Sequence, residues 1–293
     1  MSASDWSLPL KSPAAFVRRH AGRLYRGFRR EPGYQVAYDP DLLPLPDLMS
    51  SHDYPVLEEW FRWAEEWSVL LRVYAGLGKR SRVLDIGCGL GRIAFPLRFI
   101  LEEGYYVGFD VERRYIEFLQ TRFSPKYPNF EFVWSDVKNT YYNPDGAHLA
   151  SEYRFPCGER DMDVVFAASI FTHMVPENVA HYFVEASRVL RLGGKCLFSF
   201  FLLDHYRPGR PRPHMFAQPD FEFSHGHKDY GEQFAVSHPE NPELMTAYST
   251  SLIQTLASAA GLQISGPILP GLWSGGVDNW IGVQDLVVLD KRS

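Results

Sequence analysis

Cysteine is scarce in this chain: Cys88, Cys157 and Cys196 are its whole complement in 293 residues. The number is odd and the spacing leaves no Cys-x-x-Cys pair, so a disulfide framework and a thiolate metal clip are both excluded. That usage fits a reducing cytoplasm, the expected location. Long apolar runs are missing too. No stretch approaches the ~18 residues that a membrane-spanning helix needs, and the N-terminus lacks the charged-then-apolar order of a secretory signal. Neither sign of charge dominates: 30 Lys and Arg against 35 Asp and Glu give a net charge of −5. A slightly acidic chain has no general attraction for nucleic acid. No internal repeat is visible, which removes repeat architectures.

What is there is an ordinary globular composition, 45% hydrophobic and 22% charged, in a chain long enough for a full core. Residues 1–50 read as a basic arm and linker, and 51–293 as the main domain. The arm holds Arg18, Arg19, Arg23, Arg26, Arg29 and Arg30 with no acid from Ala14 to Arg30. Interleaved with Phe16, Val17, Leu24, Tyr25 and Phe28, these suit a basic amphipathic face for anionic lipid or a partner. The blander alternative is an extension docked on the chain's own acids. Gly22 and Gly27 weaken a helix by up to about 1 kcal/mol each, which favours that second reading. Asp53 reads as an N-cap and Pro55 as the first turn of a helix reaching Ala75. Its Leu57, Trp60, Phe61, Ala64, Trp67, Leu71 and Tyr74 recur at helical spacing as a core-facing stripe.

The chain is organised around Arg82-Val-Leu-Asp85-Ile-Gly87-Cys88-Gly89-Leu-Gly91-Arg92. Val83–Ile86 reads as a buried strand, the glycines as a sharp turn that a ligand can approach closely, and Arg92–Phe99 as the start of an apolar helix. The dinucleotide fingerprint G-x-G-x-x-G would put glycine at position 92, where this chain has Arg92. The pattern is instead Asp-x-Gly-x-Gly-x-Gly, with an acid closing the strand. Asp110 ends a second strand (105–109) about twenty residues later, where a ribose diol is gripped in doubly wound folds. A third strand (130–134) ends in Ser135-Asp136, a fourth spans 163–169, and Gly193-Gly194 opens a fifth at 196–201.

This succession resembles the class I S-adenosyl-L-methionine (SAM)-dependent methyltransferases over residues 80–200, with a plausible tail at 262–290. The resemblance implies an α/β, Rossmann-like seven-stranded sheet in the order 3-2-1-4-5-7-6 with helices on both faces. It implies SAM as cofactor and S-adenosyl-L-homocysteine as product. Asp85, Gly87, Gly89 and Gly91 would shape the methionine end, Asp110 would bind the ribose hydroxyls, Asp136 and Val137 the adenine, and Ser169 the region of the sulfur, with Cys88, Arg92 and Val111 as further cofactor contacts. His52 and Tyr54, before the first strand, are further candidates for contact with cofactor or substrate.

The segments after the strands bear on the acceptor. Asn/Asp-Pro-Pro-aromatic, usual in enzymes that methylate exocyclic amines of DNA bases, is absent after the fourth strand; Ser169-Ile-Phe-Thr-His173 stands there instead. A hydroxyl acceptor needs a general base or a metal. His173 is the first candidate base, and Asp204 with His205, after the fifth strand, the second. Residues 204–245 read as a lid or substrate insertion outside the core. Tyr141, Tyr142 and Arg154 in the long loop after Asp136, His225 and His227 in the insertion, and the late Trp273 are candidate substrate contacts. His225, His227, Asp229 and Glu222 also raise a divalent site such as Mg2+, although solvated loops of this composition are commoner. The same motifs resemble a bacterial branch that includes sugar and polysaccharide O-methyltransferases. The expected function is therefore O-methylation of a sugar or glycan hydroxyl. The alternatives are a small-molecule methyltransferase acting on a lipid or secondary metabolite, and a SAM-binding interaction protein without turnover.

Overall fold

The computed structural model describes residues 39–50, 57–140, 142–212, 221–227, 229–276 and 278–292. The arginine arm, His52, Tyr54 and Tyr141 lie outside the described residues, as does the side chain of His227. The chain divides into two compact units, Met1–Trp63 and Ala64–Ser293. In the first, Asp39 caps a single 3-10 turn at Pro40–Leu42 by accepting Asp41 N at 3.1 Å, and a short helix follows at Pro46–Ser50. Helix α1 (Leu57–Tyr74) carries the chain into the second unit. Ala64, Trp67 and Leu71 of its apolar stripe are buried, with the Trp67 ring 5.9 Å from that of Phe166.

The second unit is built on seven strands: β1 (Arg82–Ile86), β2 (Tyr105–Asp110), β3 (Phe130–Trp134), β4 (Met162–Ala167), β5 (Leu190–Phe200), β9 (Gln263–Ile264) and β10 (Asp285–Asp290). Their order is β3-β2-β1-β4-β5-β10-β9, which among these seven reads 3-2-1-4-5-7-6. β1 to β5 run parallel, and β10 lies antiparallel between β5 and β9. Runs such as Met162-Asp-Val-Val-Phe-Ala167 are nearly all apolar because a parallel strand is covered on both faces. Helices α3 (Arg113–Arg122), α4 (Pro176–Val189) and α5 (Thr250–Ala259) supply that cover. Val179, Phe183 and Ala186 of α4 are fully buried with Phe198 and Phe200 of β5. β1 pairs with β2 on one side and β4 on the other. That reversal opens a crevice at the carboxyl ends of the strands, where ligands of doubly wound sheets bind. Among the described residues no helix is long and apolar enough to cross a membrane.

Two expectations need correction. The helix after the glycine turn is a single turn, α2 (Ala94–Leu97), because Pro96 has no N–H to return to the preceding turn. The stretch 204–245 also contributes to the core. It forms β6 (His225–His227) and β7 (Gly231–Val236), which join β8 (Thr246–Tyr248) in a three-stranded antiparallel sheet. Phe234 and Val236 join the main core, while Phe223 packs with Phe201, Tyr206 and Trp273 in a second cluster.

Candidate functional site at the carboxyl edge of the sheet

After β1 the chain turns through Gly87, Gly89 and Gly91, all at positive φ (73°, 53° and 74°). An L side chain is strained there, and at Gly87 and Gly91 a neighbouring side chain would also have to move. A Cβ on Gly87 would lie 2.0 Å from Ile170 Cδ1, and one on Gly91 2.6 Å from Leu119 Cδ2. Gly87 N and Cys88 N donate to Phe109 O at 2.9 and 3.0 Å, and Gly89 N donates to Asp110 Oδ2 at 2.7 Å. The turn is thus tied to the end of β2. Asp110 Oδ1 accepts Glu112 N at 2.9 Å, and each carboxylate oxygen keeps further lone-pair capacity. Burial pushes the Asp110 carboxyl up, against the backbone N–H bonds from Glu112 and Gly89.

Asp85, one strand over, is 1% exposed. Desolvation pushes its carboxyl up to about 7; the Tyr106 hydroxyl donating to Oδ2 and the charge of Arg92 oppose the rise, and nearby Asp110 adds to it. Burial also pushes the Cys88 thiol up, which makes it a packing group rather than a nucleophile. Val111 is half-buried and its carbonyl accepts Trp134 Nε1 at 3.0 Å.

Beyond β3, Asp136 Oδ1 and Val137 O share the Asn143 side-chain amide at 3.1 Å each. The Asn143-Pro-Asp-Gly turn therefore folds back beside Asp136, while the Val137 side chain enters the core. Directly after β4, Ser169 is exposed at φ 62°. Its N–H donates to Ser199 Oγ at 2.8 Å, and its hydroxyl donates to Gln284 Oε1 at 3.1 Å.

Two histidines come after these strands. His173 lies in a 3-10 turn before α4, with Nδ1 at 2.8 Å from Leu244 O. A carbonyl only accepts, so Nδ1 carries the proton and the neutral ring is basic at Nε2. His205 lies just past β5, with Nδ1 at 2.7 Å from Asp285 Oδ1. The bond to Asp285 raises the His205 pKa, partly offset by burial.

Residues 83–194 match the family described as "Methyltransferase domain". The match spans less than half of the chain and supports a SAM-dependent methyltransferase. Solved structures share the fold. PH0226 protein of Pyrococcus horikoshii is 18% identical with a TM-score of 0.51, over 91% of this chain and 99% of that one. The CcbJ methyltransferase of Streptomyces caelestis is 16% identical with a TM-score of 0.51, over 87% and 94%. Phosphoethanolamine N-methyltransferase 1 of Haemonchus contortus is 17% identical with a TM-score of 0.50, over 80% of this chain and 44% of that one.

The cofactor of the methyltransferase domain is SAM, and the crevice fits it. Three positions without Cβ line the approach to the turn, and Asp110 presents acceptor capacity at the end of the neighbouring strand. The other sequence candidates are scattered. Trp273 is 0% exposed and donates Nε1–H to Asp285 Oδ2 at 2.6 Å, so it is a core residue without surface for a substrate. Arg154 faces solvent beside Glu159 at 3.9 Å. Its segment is pinned to the last turns of α4 through Phe155 N–Glu185, at the opposite edge of the sheet from the glycine turn. Asp204 Oδ2 accepts Thr250 N and Thr250 Oγ1 at 2.7 and 3.0 Å, anchoring the start of α5. Tyr142 is partly exposed beside Asn139, and His225 is exposed on β6. Glu222, a candidate metal ligand by sequence, is occupied by Tyr206 and Arg212. Among the described residues no group of three or more His, Cys, Asp or Glu is placed to hold a metal.

Sequence reading missed Gln284 and Asp285. The available signal was an acid heading an otherwise apolar interior strand, where Asp85 had been marked by closing one.

Proposed function

We propose that this protein is an O-methyltransferase acting on a sugar or glycan hydroxyl, with a histidine at the carboxyl edge as general base. Gly87, Gly89 and Gly91 would hold the methionine end of the cofactor beside Asp85. Asp110 would take the ribose hydroxyls, and Asp136 the adenine. When bound, SAM supplies an electrophilic methyl group on a sulfonium sulfur. The residues then have to align the acceptor oxygen and accept its proton; alignment contributes about 7 to 11 kcal/mol at best, and a base about 10² to 10⁴ in rate.

The observation that carries the reading is the pair His173 and His205. Both lie past strand ends at the ligand edge, and both are held through Nδ1 with Nε2 as the basic nitrogen. A sugar acceptor is supported by the polar cluster beside His173: Thr140 Oγ1 lies 3.3 Å from Asn241 Oδ1 and from Glu243 Oε2, and Asn178 Nδ2 donates to Glu243 Oε1 at 3.2 Å. Amides and carboxylates of this kind pair with sugar hydroxyls. It is also supported by the resemblance of 169–173, taken with 142–156, 198–204 and 273–275, to a bacterial branch that includes sugar and polysaccharide O-methyltransferases.

The test is a panel of mono- and oligosaccharides with radiolabelled SAM, with and without Mg2+ or a chelator. A labelled sugar is the expected result. His173→Ala combined with His205→Ala should keep cofactor affinity and lose turnover at least a hundredfold. Label appearing only in lipid or secondary-metabolite acceptors overturns the sugar reading, and unchanged turnover in the double variant overturns the histidine base.

A further inference from the structure

Asp285 holds a position out of proportion to its absence from any motif. It is fully buried at the head of β10, and four donors converge on its carboxylate. Gly271 N (2.8 Å) and His205 Nδ1 (2.7 Å) reach Oδ1; Leu202 N (2.8 Å) and Trp273 Nε1 (2.6 Å) reach Oδ2. Three of these donors are backbone or indole N–H groups that cannot move independently. The carboxylate is therefore fixed before it meets the imidazole. β10 runs antiparallel to β5, so Asp285 pairs with Phe200 at the carboxyl edge. The residue before it, Gln284, accepts from Ser169 just beyond β4. The loop Gly271–Gly276 closes the arrangement: a Cβ on Gly276 would lie 1.8 Å from His205 O, so only glycine lets this loop lie against the His205 backbone.

We propose that Asp285 is a positioning residue that readies His205 as a general base for the acceptor hydroxyl. The inference rests on the hydroxyl-acceptor reading above. At His173 a backbone carbonyl fixes the Nδ1–H tautomer. Asp285 fixes the same tautomer and also stabilises the imidazolium as it forms, the part a carboxylate plays behind a catalytic histidine. The hydroxyl proton passes to His205 Nε2, and the positive charge lost at sulfur reappears on the ring, so no further co-reactant is required. The charged groups that act on the ring are Asp285 and Asp204, which favour its protonated form, and Arg207, which opposes it.

The deciding measurement that needs no acceptor is 15N NMR of the His205 ring in the full chain. The expected neutral form is Nδ1–H, with a titration midpoint above that of an ordinary histidine; an Nε2–H form or an unshifted midpoint overturns the proposal. On an acceptor from the sugar panel, His205→Gln should lower kcat at least tenfold with KM for SAM within threefold. A kcat within threefold of the parent overturns the proposal, and a loss confined to His173→Ala then leaves the histidine-base reading standing. In Asp285→Asn the acid limb of the kcat profile should move to lower pH, since the lost charge no longer favours the imidazolium; an unmoved limb in a variant that still binds S-adenosyl-L-homocysteine counts against it. Where that variant does not fold, the ring NMR and His205→Gln decide. If no sugar is labelled, the acceptor reading fails, and the NMR result still shows whether Asp285 governs the ring.

Discussion

At the scale of single residues, the site is a set of acids under unequal constraint. Asp110 is half-buried and bonded to two backbone N–H groups, whereas Asp85 is sealed in with a tyrosine hydroxyl as its partner. The Asp85 carboxyl stands near 7 in the folded protein against ~3.9 in an unfolded chain. A raised acid binds a proton more tightly when folded, so its contribution favours the fold at low pH and is lost as pH rises from about 4 through 7. A rise of that size corresponds to roughly 4 kcal/mol at most. Urea unfolding at pH 5 and pH 7.5 should show this slope in the parent chain, and Asp85→Asn should flatten it. These acids were legible in the sequence because each closes an apolar strand. The partner of His205 was not, since the eighty residues separating His205 from Asp285 are bridged only by the β5–β10 pairing.

At the scale of elements, turns and strand ends do the positioning. The glycine turn was readable because three alternate glycines have few other uses, and its geometry follows from their positive φ. Ser169 occupies the same left-handed region without glycine's freedom, at a cost of about 1 kcal/mol. Ser169→Gly relieves that strain but loses the hydroxyl bond to Gln284, worth about 1 kcal/mol, so thermal unfolding should show a Tm close to the parent's while turnover falls. What the sequence concealed at this scale was the insertion. Its prolines and histidines mask the alternation of Gly231–Val236, whose inward residues Phe234 and Val236 feed the main core. Trp273 misled in the opposite direction. A late tryptophan in a glycine-rich loop suggests a surface contact, but the glycines are there to let that loop lie against His205 and the start of β10.

At the scale of the whole molecule, the parallel half of the sheet was readable strand by strand, because buried parallel strands announce themselves as apolar runs. The closing pair was readable only as a likeness, since β9 is two residues long and β10 finds its partners through distant pairing. β10 is interior, with Val287 and Leu289 fully buried. A chain cut after Gln284 should lose its near-UV circular dichroism signal and its binding of S-adenosyl-L-homocysteine, while keeping helical far-UV signal. Non-local pairing of this kind makes folding wait on the most distant segment. A polypeptide ending before Asp285 would leave the flank of β5 bare, an unpaired edge of the kind that invites association with other chains.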